Sequence, residues 1–201
     1  SETLKKCGRD VLNFDIIPTP TAQFLIDKNC LAGGIVITAS HNPLEWNGMK
    51  FIDSDGCFLD GIKNNKLFEL ADLNSFQKEE VGSIKNINNG YLDHVNHTHD
   101  LSVINSESIK KRKFKVVVDA VNGAASNALP AMLRKLGCSV YELYCNPDGK
   151  FPRGAEPLHE NLNDLSDEVK KYNADVGFAT DPDGDRLAIV DENGMPIGEE
   201  Y

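Results

Sequence analysis

The stretch that decides the fold assignment is Gly33-Gly34-Ile35-Val36-Ile37-Thr38-Ala39-Ser40-His41-Asn42-Pro43. Its β-branched apolar run ends abruptly in small and polar residues, which predicts a buried strand that leads into a functional loop. Ser40 follows the carboxyl end of that strand, where open α/β sheets hold their ligands. Taken alone, the stretch is equally typical of an ordinary polar turn after a strand.

Strand and helix patterns alternate on both sides of this stretch. Residues 11–17 are predicted as a strand, and residues 21–29 as a short helix that begins after a proline. Downstream, residues 49–53 alternate as a second strand, in which Lys50 faces away from its apolar neighbours, and residues 60–73 are predicted as a helix. This order predicts a compact α/β unit.

The hydrophobic signal weakens between residues 74 and 107, and this segment is predicted to connect two domains. It includes a short polar helix at 91–101 with His94, His97 and His99. A zinc site would need these ligands on one helix face, but His94 and His99 lie about 140° apart around a helix. A solvated helix is therefore the favoured interpretation.

A second α/β unit follows. Four strands are predicted, at 114–119, 138–144, 175–180 and 187–191. Two helices are predicted between them, at 126–136 and 161–172, the second capped by Asn161 or Asn163.

The predicted fold class is therefore α/β, with two consecutive α/β domains whose sheets are mixed and mostly parallel, with helices packed on them. The domains are expected at 1–88 and 89–201, the first incomplete at its N-terminus. The Asn122-Gly123 loop enters a helix as phosphate-binding loops do, but it lacks both known glycine patterns, so a nucleotide site there is the weaker alternative.

Charge and composition exclude several classes of protein. The formal net charge of −10 disfavours non-specific binding to nucleic acid or to anionic membranes. The five cysteines are scattered, odd in number and without a C-x-x-C pair, which favours reduced thiols and a cytoplasmic location. No apolar run approaches the roughly 20 residues of a membrane span, and no signal peptide is visible. The chain lacks an initiator methionine and is expected to be a piece of a longer protein.

The second informative stretch is Asp181-Pro182-Asp183-Gly184-Asp185-Arg186. Its three carboxylates follow a predicted strand at alternate positions and can converge on one hard cation. An all-oxygen ligand set favours Mg²⁺ over Zn²⁺, and the position of Gly184 argues against an EF-hand loop. Arg186 is suited to recognising a phosphoryl group. The competing interpretation is a solvated acidic turn.

These two stretches together resemble the α-D-phosphohexomutase superfamily, which includes phosphoglucomutases, phosphomannomutases and phosphoglucosamine mutases. The segments Asn47-Gly48-Met49-Lys50 and Gly198-Glu199-Glu200 resemble the same superfamily. The resemblance implies a serine that carries a phosphoryl group and exchanges it with a hexose phosphate through a bisphosphorylated sugar. It also implies four domains, of which this chain matches most of the first and the second.

The resemblance assigns a role to each candidate residue. Ser40 would be the phosphoserine, and Lys50 would assist proton transfer at the sugar hydroxyl. To act as a base, Lys50 would need a lowered pKa. Mg²⁺ would be held by a phosphoserine oxygen of Ser40 together with Asp181, Asp183 and Asp185. Other contacts to the phosphoryl group or the substrate would come from His41, Arg186, Thr38, Asn42 and Asn47.

The implied partners are a hexose phosphate substrate and a hexose 1,6-bisphosphate activator, with no nucleic acid and no membrane. The sequence leaves open which hexose is used and how many chains associate. Because the third and fourth domains of the superfamily are not matched, the fragment is expected to turn over little substrate. Two alternatives are a non-catalytic metal- or phosphate-binding module and a haloacid-type phosphatase. The phosphatase would need an Asp-x-Asp nucleophile early in the chain, and the first fifty residues contain none.

Overall fold

The computed structural model describes residues 1–43, 45–73 and 81–198. Glu199 and Glu200, two residues of the segments compared above, lie outside these ranges. The helices are α1 (Glu2–Lys6), α2 (Thr19–Lys28), α3 (Gly61–Asp72), α4 (Tyr91–His99), α5 (Ser106–Arg112), α6 (Ala125–Lys135) and α7 (Asn163–Tyr172). The strands are β1 (Val11–Asn13), β2 (Gly34–Ile37), β3 (Met49–Ile52), β4 (Ile84–Asn86), β5 (Lys115–Asp119), β6 (Ser139–Leu143), β7 (Val176–Thr180), β8 (Leu187–Val190) and β9 (Pro196–Gly198). A short 3₁₀ helix covers His159–Asn161.

The N-terminal part of the chain forms two separate two-stranded sheets within the described residues. β1 pairs with β4 in parallel, and β2 pairs with β3 in antiparallel fashion. Helix α2 packs against β2 and α4 and buries Leu25 and Ile26. Asp60 caps the N-terminus of α3, since its side chain accepts a hydrogen bond from the Lys63 N–H (2.8 Å), but the helix has no buried residue.

The prediction that β2 is a buried strand is wrong. Ile35 is 44% exposed and Ile37 is 71% exposed, whereas Gly34 lies against Ile26 of α2. A strand that is covered on one face only alternates between covered and open positions, because successive side chains point to opposite faces. The apolar run of β2 therefore belongs to a strand with one covered face.

Residues 74–107, predicted to connect two domains, contain paired and packed elements in the part that the structure describes. β4 pairs with β1 over the three residues Ile84–Asn86, and α4 packs against both α2 and α6. The sequence did not predict this strand because two of its three side chains are polar, and strand pairing is made by backbone groups. Helix α4 joins the N-terminal part of the chain to the C-terminal part.

The C-terminal part forms a five-stranded sheet in the order β6-β5-β7-β8-β9. β5 runs parallel to both β6 and β7, whereas β8 and β9 are antiparallel additions. The valines of β5 alternate between two cores: Val117 packs with Leu165 of α7, and Val116 and Val118 pack with Leu133 of α6. Helices therefore cover both faces of this sheet, which explains its nearly continuous apolar strands. The α/β class predicted from the sequence is confirmed.

The predicted asparagine cap of α7 is wrong. The residue before the helix is Leu162, which makes no side-chain cap. The Asn161 side chain donates to the Glu156 carbonyl (2.9 Å), and the Asn163 side chain donates to the Glu160 carbonyl (3.0 Å). Both amides therefore stabilise the preceding 3₁₀ segment. None of the described helices is both long and apolar enough to cross a membrane.

Candidate active site

The aspartate loop, residues 181–186, follows directly after β7 and is folded around Asp181. The Asp181 carboxylate is fully buried, and its Oδ1 accepts the backbone N–H groups of Asp185 (3.0 Å) and Arg186 (3.1 Å). Gly184 adopts φ +72°, a conformation that glycine takes at little cost, and donates its N–H to the Asp181 carbonyl (3.1 Å). The loop geometry is therefore held by its own first carboxylate.

The other two carboxylates of the loop are held by residues from the N-terminal part of the chain. Oδ2 of Asp183 accepts the Thr19 hydroxyl (2.5 Å) and the Lys50 ammonium (2.6 Å). The same Lys50 Nζ also donates to Oδ2 of Asp185 (2.9 Å). Lys50 therefore links β3 to two of the three aspartates.

The three aspartates fit a divalent cation. One oxygen from each of Asp181, Asp183 and Asp185 can be chosen so that all three lie within 4.8 Å of one another. Asp181 Oδ2 and Asp183 Oδ1 are buried and have no hydrogen-bond partner among the described residues. Because a buried carboxylate oxygen without a partner is costly, these two atoms are suited to ligating a cation, and the all-oxygen donor set is the one that Mg²⁺ prefers.

The pKa values of the charged residues in this cluster shift in different directions. Burial, together with repulsion from the neighbouring carboxylates, raises the pKa of Asp181 above its ordinary value. For Asp183, burial also opposes ionisation, but hydrogen bonds from Lys50 and Thr19 outweigh it and lower the pKa. For Lys50, burial favours the neutral amine, but hydrogen bonds to Asp183 and Asp185 outweigh it and raise the pKa. The lowered pKa that a lysine base requires is therefore not found at Lys50, whose resting form is the ammonium.

The serine loop, residues 38–43, follows β2. Ser40 has φ +54°, in the left-handed region that non-glycine residues seldom occupy. Its N–H donates to Thr38 Oγ1 (2.9 Å), its Oγ lies 3.3 Å from His41 Nδ1, and the Asn42 side chain donates to the Ala39 carbonyl (2.9 Å). This uncommon backbone conformation is held by short-range hydrogen bonds and leaves the serine side chain partly accessible.

An open cavity of about 230 Å³ joins the serine loop to the lysine. Its lining contains five of the residues singled out from the sequence: Thr38, Ser40, Asn42, Asn47 and Lys50. Since Lys50 also contacts two aspartates, this one side chain connects the serine cavity with the candidate metal site.

Three residues considered in the sequence analysis make contacts away from the cavity and the aspartates, or with residues not singled out there. Arg186 Nη1 pairs with Glu156 Oε1 (2.5 Å), a carboxylate that the sequence analysis did not single out. His94 accepts or donates a hydrogen bond with Thr21 (2.9 Å), and both His94 and His97 pack against the ring of Phe24. The histidines of α4 thus contribute to a helix–helix contact. Within the described ranges, the three aspartates are the only group of three or more residues suited to a metal.

The sequence analysis missed a buried ion pair that anchors the aspartate loop. Arg153 Nε donates to Asp119 Oδ2 (2.5 Å), and its Nη2 donates to the carbonyl of Thr180 (2.7 Å), the residue before Asp181. Asp119 is fully buried at the end of β5. A carboxylate at the end of a buried strand requires a partner, so the position of Asp119 after a run of valines could have indicated a buried ion pair.

The Asn122-Gly123 loop, considered above as a nucleotide site, packs against the aspartate loop instead. The Ala124 N–H donates to the Pro182 carbonyl (2.7 Å), and a Cβ built on Gly123 would lie 2.4 Å from the same oxygen. The glycine is therefore needed for the close approach of two backbones. This loop therefore packs directly against the backbone of the aspartate loop.

Comparison with protein-family models matches both parts of the chain. Residues 1–78 match the model described as "Phosphoglucomutase/phosphomannomutase, alpha/beta/alpha domain I". Residues 89–194 match the corresponding model for domain II.

Similar proteins carry related names. A "Phosphoglucomutase/phosphomannomutase" of Thermococcus kodakarensis is 40% identical and is matched over 96% of this chain and 43% of its own length. A "Probable phosphoglucosamine mutase" of Methanocella arvoryzae is 38% identical, over 94% of this chain and 42% of its own length. The chain therefore spans less than half the length of these relatives.

Solved structures share the fold. A phosphoglucomutase/phosphomannomutase family protein from Burkholderia thailandensis superposes with a TM-score of 0.77 at 30% identity, over 96% of this chain and 43% of that chain. A putative phosphomannomutase from Thermus thermophilus also gives a TM-score of 0.77, at 22% identity, over 94% of this chain and 43% of that chain. At that identity, the second similarity concerns the fold alone.

Proposed function

Because the chain belongs to the phosphoglucomutase/phosphomannomutase family, we propose that it is the part of a phosphohexomutase that carries the phosphoserine and the metal. The observation that carries this proposal is the position of Lys50, which lines the Ser40 cavity and contacts Asp183 and Asp185. The serine hydroxyl, the lysine ammonium and the carboxylate cluster are therefore next to one another.

The proposed reaction moves a phosphoryl group between C1 and C6 of a hexose phosphate. A free sugar hydroxyl attacks the phosphorus of phosphorylated Ser40, the bond from phosphorus to Oγ breaks, and the hydroxyl proton passes by way of Lys50 to the departing Oγ. The resulting bisphosphorylated sugar then returns its other phosphoryl group to Ser40 Oγ, which restores the phosphoserine and leaves the isomeric hexose phosphate. Such a transfer depends chiefly on positioning and on neutralising charge.

The residues of the chain have distinct proposed roles. Asp181, Asp183 and Asp185, with an oxygen of phosphorylated Ser40, would hold Mg²⁺, which when bound neutralises charge on the transferred group. Lys50 would assist the proton transfer from its ammonium form, by giving a proton to the departing Ser40 Oγ and regaining one from the sugar hydroxyl, and it would donate to the phosphoryl oxygens. Further contacts to the phosphoryl group or the sugar would come from His41, Arg186, Thr38, Asn42 and Asn47.

The substrate proposed for the whole protein is a glucose, mannose or glucosamine phosphate, with the hexose 1,6-bisphosphate as activator. These three sugars correspond to the names of the related proteins. The domain division at residues 88 and 89, the cytoplasmic location and the lack of nucleic-acid or membrane partners complete the proposal. Since the chain covers 43% of a relative's length, full turnover is expected only with the remaining domains.

Phosphorylation of Ser40 tests this proposal. The chain would be incubated with Mg²⁺ and with each of the three hexose 1,6-bisphosphates in turn, and its intact mass measured. We expect a gain of about 80 Da, one phosphoryl group, with at least one of the sugars. Tandem mass spectrometry should locate the modification on Ser40.

Two serine variants provide the control. Ser40→Ala should remain unmodified, whereas Ser54→Ala, which alters an exposed serine in a turn of the same unit, should still gain the mass. A gain of mass in Ser40→Ala would refute the assignment of the nucleophile. If the wild-type chain stays unmodified, the same incubation is repeated with a longer chain that has all four domains. Phosphorylation of that chain on Ser40 would mean that the shorter chain lacks a sugar-binding surface, and no phosphorylation would mean that the assignment is wrong.

A further inference from the structure

The first residue of α2 makes an unusual pair of hydrogen bonds. Thr19 is fully buried, and its Oγ1 donates to Oδ2 of Asp183 (2.5 Å), 164 residues away in the chain. Its backbone N–H also donates, to the Asp183 carbonyl (2.8 Å). The first N–H groups of a helix have no partner within the helix, so this contact satisfies one of them with the aspartate loop.

These bonds determine which oxygen of Asp183 is available. Oδ2 is occupied by two donors from different elements, the Thr19 hydroxyl and the Lys50 ammonium, whereas Oδ1 is buried and has no partner among the described residues. Rotation of the carboxylate about its Cβ–Cγ bond would break both donor contacts. Oδ1 is therefore the Asp183 oxygen that remains available for a ligand in the cluster with Asp181 and Asp185.

We propose that Thr19 is a positioning residue for the metal site: its hydroxyl fixes the Asp183 carboxylate so that Oδ1 can ligate the cation. The inference rests on the proposed function, since it takes the aspartate cluster to be a cation site. Hydrogen-bond partners that orient a metal ligand commonly contribute 10- to 100-fold to metal affinity. The Lys50 ammonium can shift between two carboxylate acceptors and carries a flexible stem, whereas the threonine is fixed at a helix terminus by its backbone bond.

A second buried threonine of α2 is a matched control for the loss of stability that removing a buried hydroxyl causes. Thr21, two residues further along α2, is 2% exposed, and its hydroxyl bonds to His94 (2.9 Å). Its partner lies on α4 and is not one of the aspartates. Replacing either threonine by valine removes one buried hydroxyl with little change of shape, so the two variants should lose similar stability but differ in metal binding.

The experiment titrates the chain with Mn²⁺ and follows the free ion by electron paramagnetic resonance. Thr19→Val should weaken Mn²⁺ binding about 10-fold or more. Thr19→Ser, which keeps the hydroxyl, should bind within about threefold of wild type, and Thr21→Val should bind as wild type does. Urea denaturation of each variant, measured alongside, gives the stability change that accompanies the loss of a hydroxyl.

The outcomes separate this inference from the function on which it rests. If wild type binds Mn²⁺, Asp183→Asn abolishes binding and Thr19→Val binds as tightly as wild type, then only the inference about Thr19 is wrong. Equal weakening in Thr19→Val and Thr21→Val also overturns it. If wild type binds no Mn²⁺, both the inference and the proposed metal site fail. Should Thr19→Val not fold, Thr19→Ala and Thr21→Ala make the same comparison.

Discussion

The serine loop and the aspartate loop belong to parts of the molecule that are built differently. The part with Ser40 consists of two small sheets and leaves many large apolar side chains exposed, among them Ile35, Ile37, Trp46, Met49, Ile62 and Phe68. The part with the aspartates has a five-stranded sheet covered on both faces, and side chains such as Val117 and Leu165 are fully buried.

The difference matches what each loop must do. Three carboxylates can be kept close together only if the surrounding structure resists their repulsion, and a close-packed core supplies that resistance. A serine that gains and loses a phosphoryl group must instead remain accessible, and its loop is held by short-range hydrogen bonds. The comparison predicts that the aspartate loop depends on buried contacts beneath it and that the serine side of the molecule is the more open one.

The largest effect is expected from the buried ion pair under the aspartate loop. Arg153→Met would leave the Asp119 carboxylate buried without its partner and would remove the bond to the Thr180 carbonyl. Loss of one member of a buried pair costs about 3–5 kcal/mol. Urea denaturation followed by circular dichroism measures the loss.

An exposed arginine of the same part is the control for this variant. Arg134 pairs with Glu142, and both side chains are substantially exposed, so Arg134→Met should cost about 0–1 kcal/mol. The double variant Asp119→Asn/Arg153→Met should recover part of the loss, since no charge then remains buried. If Arg153→Met is as mild as Arg134→Met, the aspartate loop does not depend on this buried pair.

A smaller effect is expected where the Asn122-Gly123 loop meets the aspartate loop. Gly123→Ala would place a Cβ 2.4 Å from the Pro182 carbonyl oxygen, so one of the two backbones must move. Overpacking of this kind typically costs about 1–3 kcal/mol. Because Pro182 separates two of the aspartates, we also expect weaker Mn²⁺ binding, measured by the same titration as for Thr19.

A glycine in the part of the molecule that carries Ser40 serves as the control. Gly61 is the first residue of α3, and a Cβ added there would have no other atom within 4 Å. Gly61→Ala should therefore leave both stability and Mn²⁺ affinity nearly unchanged. Unchanged Mn²⁺ affinity in Gly123→Ala would mean that the aspartate loop keeps its geometry without close support from this neighbour.

The sequence predicted those features that depend on local spacing. The spacing of the aspartates predicted three carboxylates close together, and the valine run of β5 predicted a strand. The exposure of Ile37 could not be predicted, because a β-branched run looks alike whether one face is covered or two. Thr19 was missed because its partner is 164 residues away, and no local pattern records such a contact.

Cysteine reactivity gives the mildest test, one that changes no residue. Cys30 and Cys57 lie in the serine-bearing part and are exposed, whereas Cys145 follows β6 and burial raises the pKa of its thiol to about 12. Only the thiolate reacts with iodoacetamide, so Cys145 should be labelled far more slowly than Cys30 and Cys57 at pH 8. Peptide mass spectrometry over time measures each rate.

The pH dependence of this labelling has a definite sign. Below a pKa of about 12, the thiolate fraction of Cys145 rises about tenfold for each pH unit, so its labelling should accelerate by that factor between pH 8 and pH 9 while the fold persists. Labelling of the urea-unfolded chain provides the reference rate, at which the three thiols should become similar. If Cys145 in the folded chain reacts as fast as Cys57, the sheet beneath the aspartates opens as readily as the serine-bearing part, and the contrast between the two parts fails.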